Sequence, residues 1–351
     1  MSRFLSGRIS RMSPYIPGEQ PRGGQYIKLN TNELPFPPSP KAIEAINREV
    51  LRDMRLYPDP EVSVLIKAAA DFYGVAPSMV YAGNGSDEVL AFAFMAFLER
   101  RRLFAPDISY GFYPVYARLF DADYQEMPLR EDLSLSVDDY MKVHGNIVIA
   151  NPNAPTGLAV PVEDIEKLAA ARQDRLVIID EAYGDFWGQS CVPLTEKYDN
   201  LLVVQTLSKS RALAGMRVGL AVGSPALIED LNRVKFSFHP YNINRLSLIA
   251  AAEALEDRKY FEKTTAKIIS LREGLKSALR ERGFSLTDSQ SNFVFAKSCK
   301  TGGGELYLKL KEKRVLVRRF DLPRIRDYLR ITVGSEGEIA ALLSALDELR
   351  A

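Results

Sequence analysis

Five short segments of this chain carry side chains that could do chemistry. The first is Thr206-Leu207-Ser208-Lys209-Ser210, with Arg217 close behind in Gly215-Met216-Arg217-Val218-Gly219. A lysine just past a buried strand is readily desolvated, loses its proton and forms a Schiff base with an aldehyde. Hydroxyls and a guanidinium close by suit a phosphate dianion. Taken alone, the same run also describes a solvated lysine on a loop. The second segment, Asp180-Glu181-Ala182-Tyr183, ends the most apolar strand candidate. A carboxylate at the carboxyl end of a parallel strand stands where open α/β sheets bind ligands. An ionised Asp180 there could keep a pyridine nitrogen protonated, making the ring an electron sink. A helix cap or a metal ligand is the alternative, and no histidine cluster accompanies it to favour a metal.

Three further segments belong beside these. Gly83-Asn84-Gly85-Ser86-Asp87-Glu88 is a glycine-rich turn opening a helix, which presents backbone N–H groups to an anion. Its glycine spacing is not that of a dinucleotide fingerprint, and an ordinary capped turn reads equally well. Asn151-Pro152-Asn153-Ala154-Pro155-Thr156-Gly157 is a stiff turn after a buried strand, either a ligand-contacting loop or a plain connection. Tyr328-Leu329-Arg330-Ile331-Thr332-Val333 puts an arginine in an apolar strand, which is costly unless a substrate anion or an internal carboxylate pairs with it, or the side chain reaches solvent. His144 and His239 join none of these patterns.

Positioning such groups takes alternating strands and helices. Short β-branched runs at 146–150, 176–180, 201–205 and 218–222 predict strands, and 161–172 predicts a helix with Pro161 at its start. Continuous apolar runs such as Leu176-Val177-Ile178-Ile179 suit strands buried on both faces, which implies an α/β unit with a mostly parallel sheet. Helical patterns also cover 39–54, 61–73 and the stretch after Gly83. From about residue 241 the pattern shifts to long helices over 244–282, then strands at 292–296, 315–318 and 328–333, a helix at 305–313 and a closing helix from Ser335. These features predict a Pro- and Gly-rich N-terminal arm over 1–40 that needs another surface to lie on. A large domain over 41–240 and a smaller α+β domain over 241–351 follow it.

The 351 residues suffice for two such units. The near balance of 46 basic against 45 acidic residues gives no electrostatic case for nucleic acid or an anionic membrane surface. The apolar run 89–98 is too short to span a bilayer, and no h-region follows the basic N-terminus, so neither a membrane span nor a secretory signal is expected. Two widely spaced cysteines, Cys191 and Cys299, read as free thiols in a reducing compartment, and the cytoplasm is the expected location.

Taken together and in this order, the segments resemble the pyridoxal 5′-phosphate (PLP)-dependent aminotransferases of fold type I, and in particular the histidinol-phosphate aminotransferase family. The resemblance runs almost end to end. It rests on Ser13-Pro14-Tyr15, Leu29-Asn30-Thr31-Asn32-Glu33, Tyr57-Pro58, Gly85-Ser86-Asp87-Glu88, Ser109-Tyr110, Asp180-Glu181-Ala182-Tyr183, Thr206-Leu207-Ser208-Lys209, Ala214-Gly215-Met216-Arg217, Val317-Arg318 and Leu329-Arg330. It implies that Lys209 carries PLP covalently, Asp180 pairs with the pyridine nitrogen, Tyr183 bonds the ring hydroxyl oxygen and Tyr110 stacks on the ring. Ser86, Asp87, Ser208 and Arg217 would surround the phosphate. Tyr57 would reach the phosphate of a partner subunit, so a homodimer would share its active sites. Tyr15, Asn32, Arg318 and Arg330 would face the substrate, with no metal involved. The family often carries asparagine immediately before Pro-Thr-Gly; here that position is Ala154, and Asn153 is the candidate substitute.

The reaction implied is L-histidinol phosphate with 2-oxoglutarate giving imidazole acetol phosphate and L-glutamate, a step of histidine biosynthesis. A threonine-phosphate decarboxylase of the cobalamin pathway and an aromatic-amino-acid aminotransferase share most of these motifs. From other classes, a non-catalytic PLP-binding module and a phosphate- or nucleotide-binding protein without PLP compete.

Overall fold

The computed structural model describes residues 2–20 and 24–349; the arm expected over 1–40 also takes in residues 1 and 21–23, which lie outside the described residues. Among the described residues thirteen strands are numbered in chain order: β1 Ile27–Lys28, β2 Val80–Gly83, β3 Arg102–Pro106, β4 Asp123–Met127, β5 Asn146–Ala150, β6 Val177–Asp180, β7 Leu201–Thr206, β8 Gly219–Gly223, β9 Phe284–Leu286, β10 Phe293–Ser298, β11 Val315–Leu316, β12 Arg318–Arg319 and β13 Tyr328–Thr332. Seven form one sheet in the order β2-β8-β7-β6-β5-β3-β4. Pairing is parallel from β4 through β3, β5 and β6 to β7. Strand β8 runs against both its neighbours. The sheet is therefore mixed and mostly parallel, an α/β architecture.

The central strands are buried along their whole length, because helices cover both faces of the sheet. One apolar cluster joins Phe92, Phe94 and Tyr113 to Val148, Ile178 and Val204. Another gathers Ile147, Ile149, Ile165, Leu168, Ile179 and Val203 on the opposite side. The helix Val162–Ala171 contributes Ile165, Leu168 and Ala169, at the spacing expected of an amphipathic helix.

The C-terminal third forms a second sheet, β12-β13-β10-β9, antiparallel throughout. The N-terminal arm is tied to it, since β1 pairs in parallel with β11, Ile27 opposite Val315. The helix Glu336–Glu348 begins with a capping box in which Ser335 and Glu338 satisfy each other's backbone N–H. No helix among the described residues is long and apolar enough to cross a membrane.

Several local expectations need correction. The helix expected over 39–54 breaks into Pro40–Glu44 and Arg48–Arg52. At the break the Asn47 side chain accepts from the Val50 N–H and starts a new helix. The stretch 244–282 is two helices, Arg245–Glu256 and Arg258–Glu281, divided at Asp257, whose carboxylate accepts from the Tyr260 N–H. The run 315–318 is divided between β11, which serves the arm, and β12, which pairs with β13.

Candidate active site

Strands β5, β6 and β7 end on one cavity of about 180 Å³, whose wall includes Ala150, Asp180 and Thr206. The N-terminal end of the helix Gly85–Phe97 closes one side with Ser86 and Asp87. Tyr110, Ala154, Tyr183, Ser208, Lys209 and Arg217 complete most of the rest. The topology places the ends of parallel strands and a helix N-terminus at one point, as open α/β sheets do at their ligand sites.

Lys209 sits just past β7 and donates to the Thr31 carbonyl at 3.3 Å. It forms no ion pair with any described carboxylate, and its Nζ lies 5.8 Å from the centre of the Tyr183 ring. Asp180 is 4% exposed. Its carboxylate accepts from the Tyr113 hydroxyl at 2.9 Å and the Ala182 N–H at 3.2 Å. Burial pushes the carboxyl up to about 6, against the lowering effect of those two donors. Such a carboxylate is short of a cation. Glu181 next to it turns to the other side and accepts from Ser190, the Cys191 N–H and Gln205. Burial raises it to about 7.

Arg217 is held in a left-handed conformation, φ 54°, after β7 has turned back towards β8. It donates to Asp87 at 2.9 Å, to the Ser208 hydroxyl at 3.4 Å and to the Ala214 carbonyl at 3.3 Å. Two glycines let it in. A Cβ on Gly85, where φ is +80°, would stand 2.5 Å from the Arg217 guanidinium, and a Cβ on Gly219 would collide with the Ser86 backbone. Tyr110 donates to the other Asp87 oxygen at 2.7 Å. The Asp87 side chain thus orients Arg217 and Tyr110, and a carboxylate is no ligand for a phosphate. What Asp87 offers an anion is its place in the first turn of the helix, where N–H groups lack intrahelical acceptors.

The residues expected at the substrate fall into two groups. Arg330 on β13 stands directly opposite Arg318 on β12. Arg330 donates to the Asn30 carbonyl at 3.2 Å, and its buried Nε has no partner. Arg318 donates to the Ile16 and Pro17 carbonyls. Among the described residues neither arginine has a carboxylate within ion-pair distance. Burial lowers the Arg330 guanidinium, and Arg318 adds to this. Phe293 connects Arg330 to the cavity, with the guanidinium 5.3 Å from its ring and the Tyr183 ring edge-on to it at 5.2 Å. Tyr15 stacks on Phe112 at 4.2 Å and reaches Tyr110 at 6.4 Å. Asn32 points elsewhere: its amide donates to the Tyr183 hydroxyl at 2.8 Å and its oxygen accepts from Thr332.

Asn153 is not brought to this cavity. Its oxygen accepts from Ser109 and its NH₂ donates to the Ile108 carbonyl and to Thr156, so the amide ties its loop to the segment after β3; Ala154 lines the wall instead. Tyr57 is 78% exposed and stacks on Tyr241 at 4.7 Å, away from this chain's own cavity. Sequence reasoning missed Tyr113, whose only mark is its place three residues after Tyr110 at the start of the helix Tyr113–Leu119, and Thr31 and Glu33 as wall residues. Among the described residues no His, Cys, Asp and Glu cluster could hold a metal ion.

PLP fits what is present. An amine without an acid stands at the cavity, a buried carboxylate lacks a cation, and an arginine, two serines and a helix N-terminus gather at one end. Lys209 would hold the aldehyde, Asp180 the pyridine nitrogen and Arg217, Ser208 and Ser86 the phosphate.

A family model described as aminotransferase class I and II matches residues 24–346. The chain is 49% identical to a Pseudomonas putida protein named histidinol-phosphate aminotransferase, over 99% of this chain and all of that one. It is 50% identical over both full lengths to histidinol-phosphate aminotransferase 1 of Burkholderia pseudomallei. The fold matches that of a histidinol-phosphate aminotransferase from Sinorhizobium meliloti solved with PLP, at TM-score 0.90 and 22% identity, covering 99% of this chain and 98% of that one.

Proposed function

This chain belongs to the class I and II aminotransferase family, and on that premise we propose that it moves the amino group of L-histidinol phosphate to 2-oxoglutarate, a step of histidine biosynthesis, with PLP as cofactor. Full-length relatives at 49% and 50% identity bear that name. The observation that carries the substrate reading is the pair Arg318 and Arg330. Like charges directly opposite on neighbouring strands are destabilising, and a half-buried guanidinium with no acid and an unpartnered buried Nε is costly. A dianionic phosphate ester relieves both, and so does a carboxylate of glutamate or 2-oxoglutarate. One arginine pair therefore serves two substrates that differ in which anion they carry.

When bound, PLP supplies an electron sink for the carbanion formed at the substrate Cα. Lys209, at the cavity and bonded to the Thr31 carbonyl, would hold the cofactor, and its Nζ would serve as the base that moves the substrate Cα proton. Asp180 holds the proton on the pyridine nitrogen, and the Tyr113 hydroxyl and Ala182 N–H fix its carboxylate in place. Tyr183, oriented by Asn32, bonds the ring hydroxyl oxygen. Arg217, Ser208 and Ser86 bind the cofactor phosphate, while Tyr110, anchored on Asp87, covers the ring.

The exposed Tyr57, stacked on Tyr241, completes the phosphate site of a second subunit in a cytoplasmic homodimer. The arm over 1–40 and the units 41–240 and 241–351 act as strap, cofactor domain and substrate-clamping domain. The test is a coupled assay. Amino transfer from histidinol phosphate to 2-oxoglutarate is expected; carbon dioxide release from threonine phosphate without amino transfer would replace this reading by a decarboxylase.

A further inference from the structure

We propose that Glu33 selects the imidazole ring of the substrate by accepting its N–H, and so sets specificity for the amino donor. The inference rests on the substrate assigned above and adds the group that reads its third arm. Histidinol phosphate presents an amine, a phosphate ester and an imidazole. Lys209 and the cofactor account for the amine, and Arg318 and Arg330 for the phosphate. An imidazole carries an N–H donor when neutral and two when protonated, so its partner should be an acceptor and preferably an anion.

Three carboxylates line the cavity: Glu33, Asp87 and Asp180. Asp180 is committed to the ring nitrogen of the cofactor. Asp87 is committed to Arg217 and Tyr110 at the phosphate end. Glu33 has no such duty. A carboxylate offers about four acceptor positions. Lys28 takes one on each oxygen, at 2.8 Å and 2.7 Å, and the Thr31 hydroxyl takes a second on Oε2 at 2.8 Å. One position on Oε1 stays open.

Location and charge agree with this count. Thr31, two residues before Glu33, accepts from Lys209, so Glu33 stands on the wall beside the reacting amine. Its side chain lines the cavity and is 44% exposed, so it is accessible to a ligand there. Burial works to raise the Glu33 carboxyl, but the hydrogen bonds from Lys28 and Thr31 outweigh it and hold it below its ordinary value. The group is therefore an anion wherever the imidazole titrates. Lys28 and Thr31 also pre-orient it, which reduces the ordering cost when a ring binds.

The test uses the holoenzyme and three donors: histidinol phosphate, its ring-free analogue 2-aminopropyl phosphate, and glutamate. Each half-reaction is followed by the change in cofactor absorbance. For Glu33→Ala, kcat/KM for histidinol phosphate is expected to fall about 10- to 100-fold, the range for one charge-assisted hydrogen bond, mostly in KM. Glu33→Gln, which keeps an acceptor but not the charge, should fall between. The loss on histidinol phosphate should exceed the losses on the ring-free phosphate and on glutamate by 10-fold or more. Equal losses on all three donors would show that Glu33 merely holds Thr31 and Lys209 in place, and no loss on histidinol phosphate would also overturn the proposal. Should the alanine variant not fold, the glutamine variant carries the same comparison. Wild-type protein that accepts an amino group from none of the phosphates would instead refute the substrate reading, an outcome distinct from either.

Discussion

Replacing Asp180 by Asn should make the cofactor-free protein more stable at alkaline pH while removing its activity. The Asp180 carboxyl rises from 3.8 to about 6 in the folded chain, chiefly through burial. That rise corresponds to about 3 kcal/mol between the two protonation states. The sign follows from linkage. A group whose folded value lies above its unfolded one stabilises fully below pH 4, and that contribution is lost as pH rises through 6. At pH 8 the cofactor-free fold therefore carries a buried anion without a cation. Asparagine removes the charge and keeps one oxygen for the Ala182 N–H, while its NH₂ takes the place of the oxygen that accepts from the Tyr113 hydroxyl. Loss of that acceptor costs about 1–2 kcal/mol. The net expectation is a gain of about 1–2 kcal/mol for the cofactor-free variant at pH 8, and no gain at pH 4. Glu181, also raised by burial, titrates in both proteins and cancels in the difference. Bound cofactor reverses the order, because the pyridine nitrogen supplies the missing cation to wild type alone. Urea denaturation at pH 4 and 8, with and without PLP, reads all four states. With PLP bound, kcat of the variant should fall on the order of 10²- to 10³-fold, as for loss of one preorganised electrostatic contact. A cofactor-free variant no more stable than wild type at pH 8, or equally stabilised at both pH values, would refute the reasoning.

Other substitutions test the remaining parts of the site. Lys209→Ala should reduce turnover to background and remove the borohydride-sensitive visible absorbance of the bound cofactor; retention of either would exclude its assigned role. Arg330→Met should lower kcat/KM for both histidinol phosphate and 2-oxoglutarate by roughly 30- to 1000-fold, the equivalent of about 2–4 kcal/mol. Thermal unfolding should show it no less stable than wild type, since the Arg318 repulsion and an unpartnered buried Nε both go. Gly85→Ala should cost about 1–2 kcal/mol in denaturant unfolding for the left-handed backbone alone, and should weaken PLP affinity by pushing Arg217 aside.

What could be seen from sequence follows the physics of burial. Strands β5, β6 and β7 are covered on both faces, so each is a continuous apolar run and each was locatable within a residue. Strand β4, Asp123–Met127, lies at the sheet edge with its residues mostly exposed, and its sequence Asp-Tyr-Gln-Glu-Met carries no apolar signal. Strand β3 hides between an exposed Arg102 and a terminal Pro106. Within the site, Lys209, Asp180 and Arg217 were legible because their neighbours in sequence are also their neighbours in function. Tyr113 was not, because its contact with Asp180 spans 67 residues and depends on how the helix Tyr113–Leu119 lies over the sheet. Asn153 misled for the converse reason. Its place in the motif is adjacent to the expected one, but a shift of one residue turns the side chain onto Ile108, Ser109 and Thr156.

The two ends of the site share a logic that neither shows alone. At one end a buried acid has no cation; at the other, two arginines face each other with no acid. A fold selected for stability alone would neutralise both, since each mismatch costs free energy in the low-dielectric interior. Pairing Asp180 with an internal lysine, or Arg330 with an internal glutamate, would do so and would close the site to ligands. The chain instead ties these groups with neutral donors and acceptors, the Tyr113 hydroxyl for the acid and the Asn30, Ile16 and Pro17 carbonyls for the arginines. Neutral partners fix direction without cancelling charge. The unspent charge then stabilises the complex when a pyridine nitrogen or a phosphate arrives, so ligand binding and fold stability are the same free energy seen from two sides.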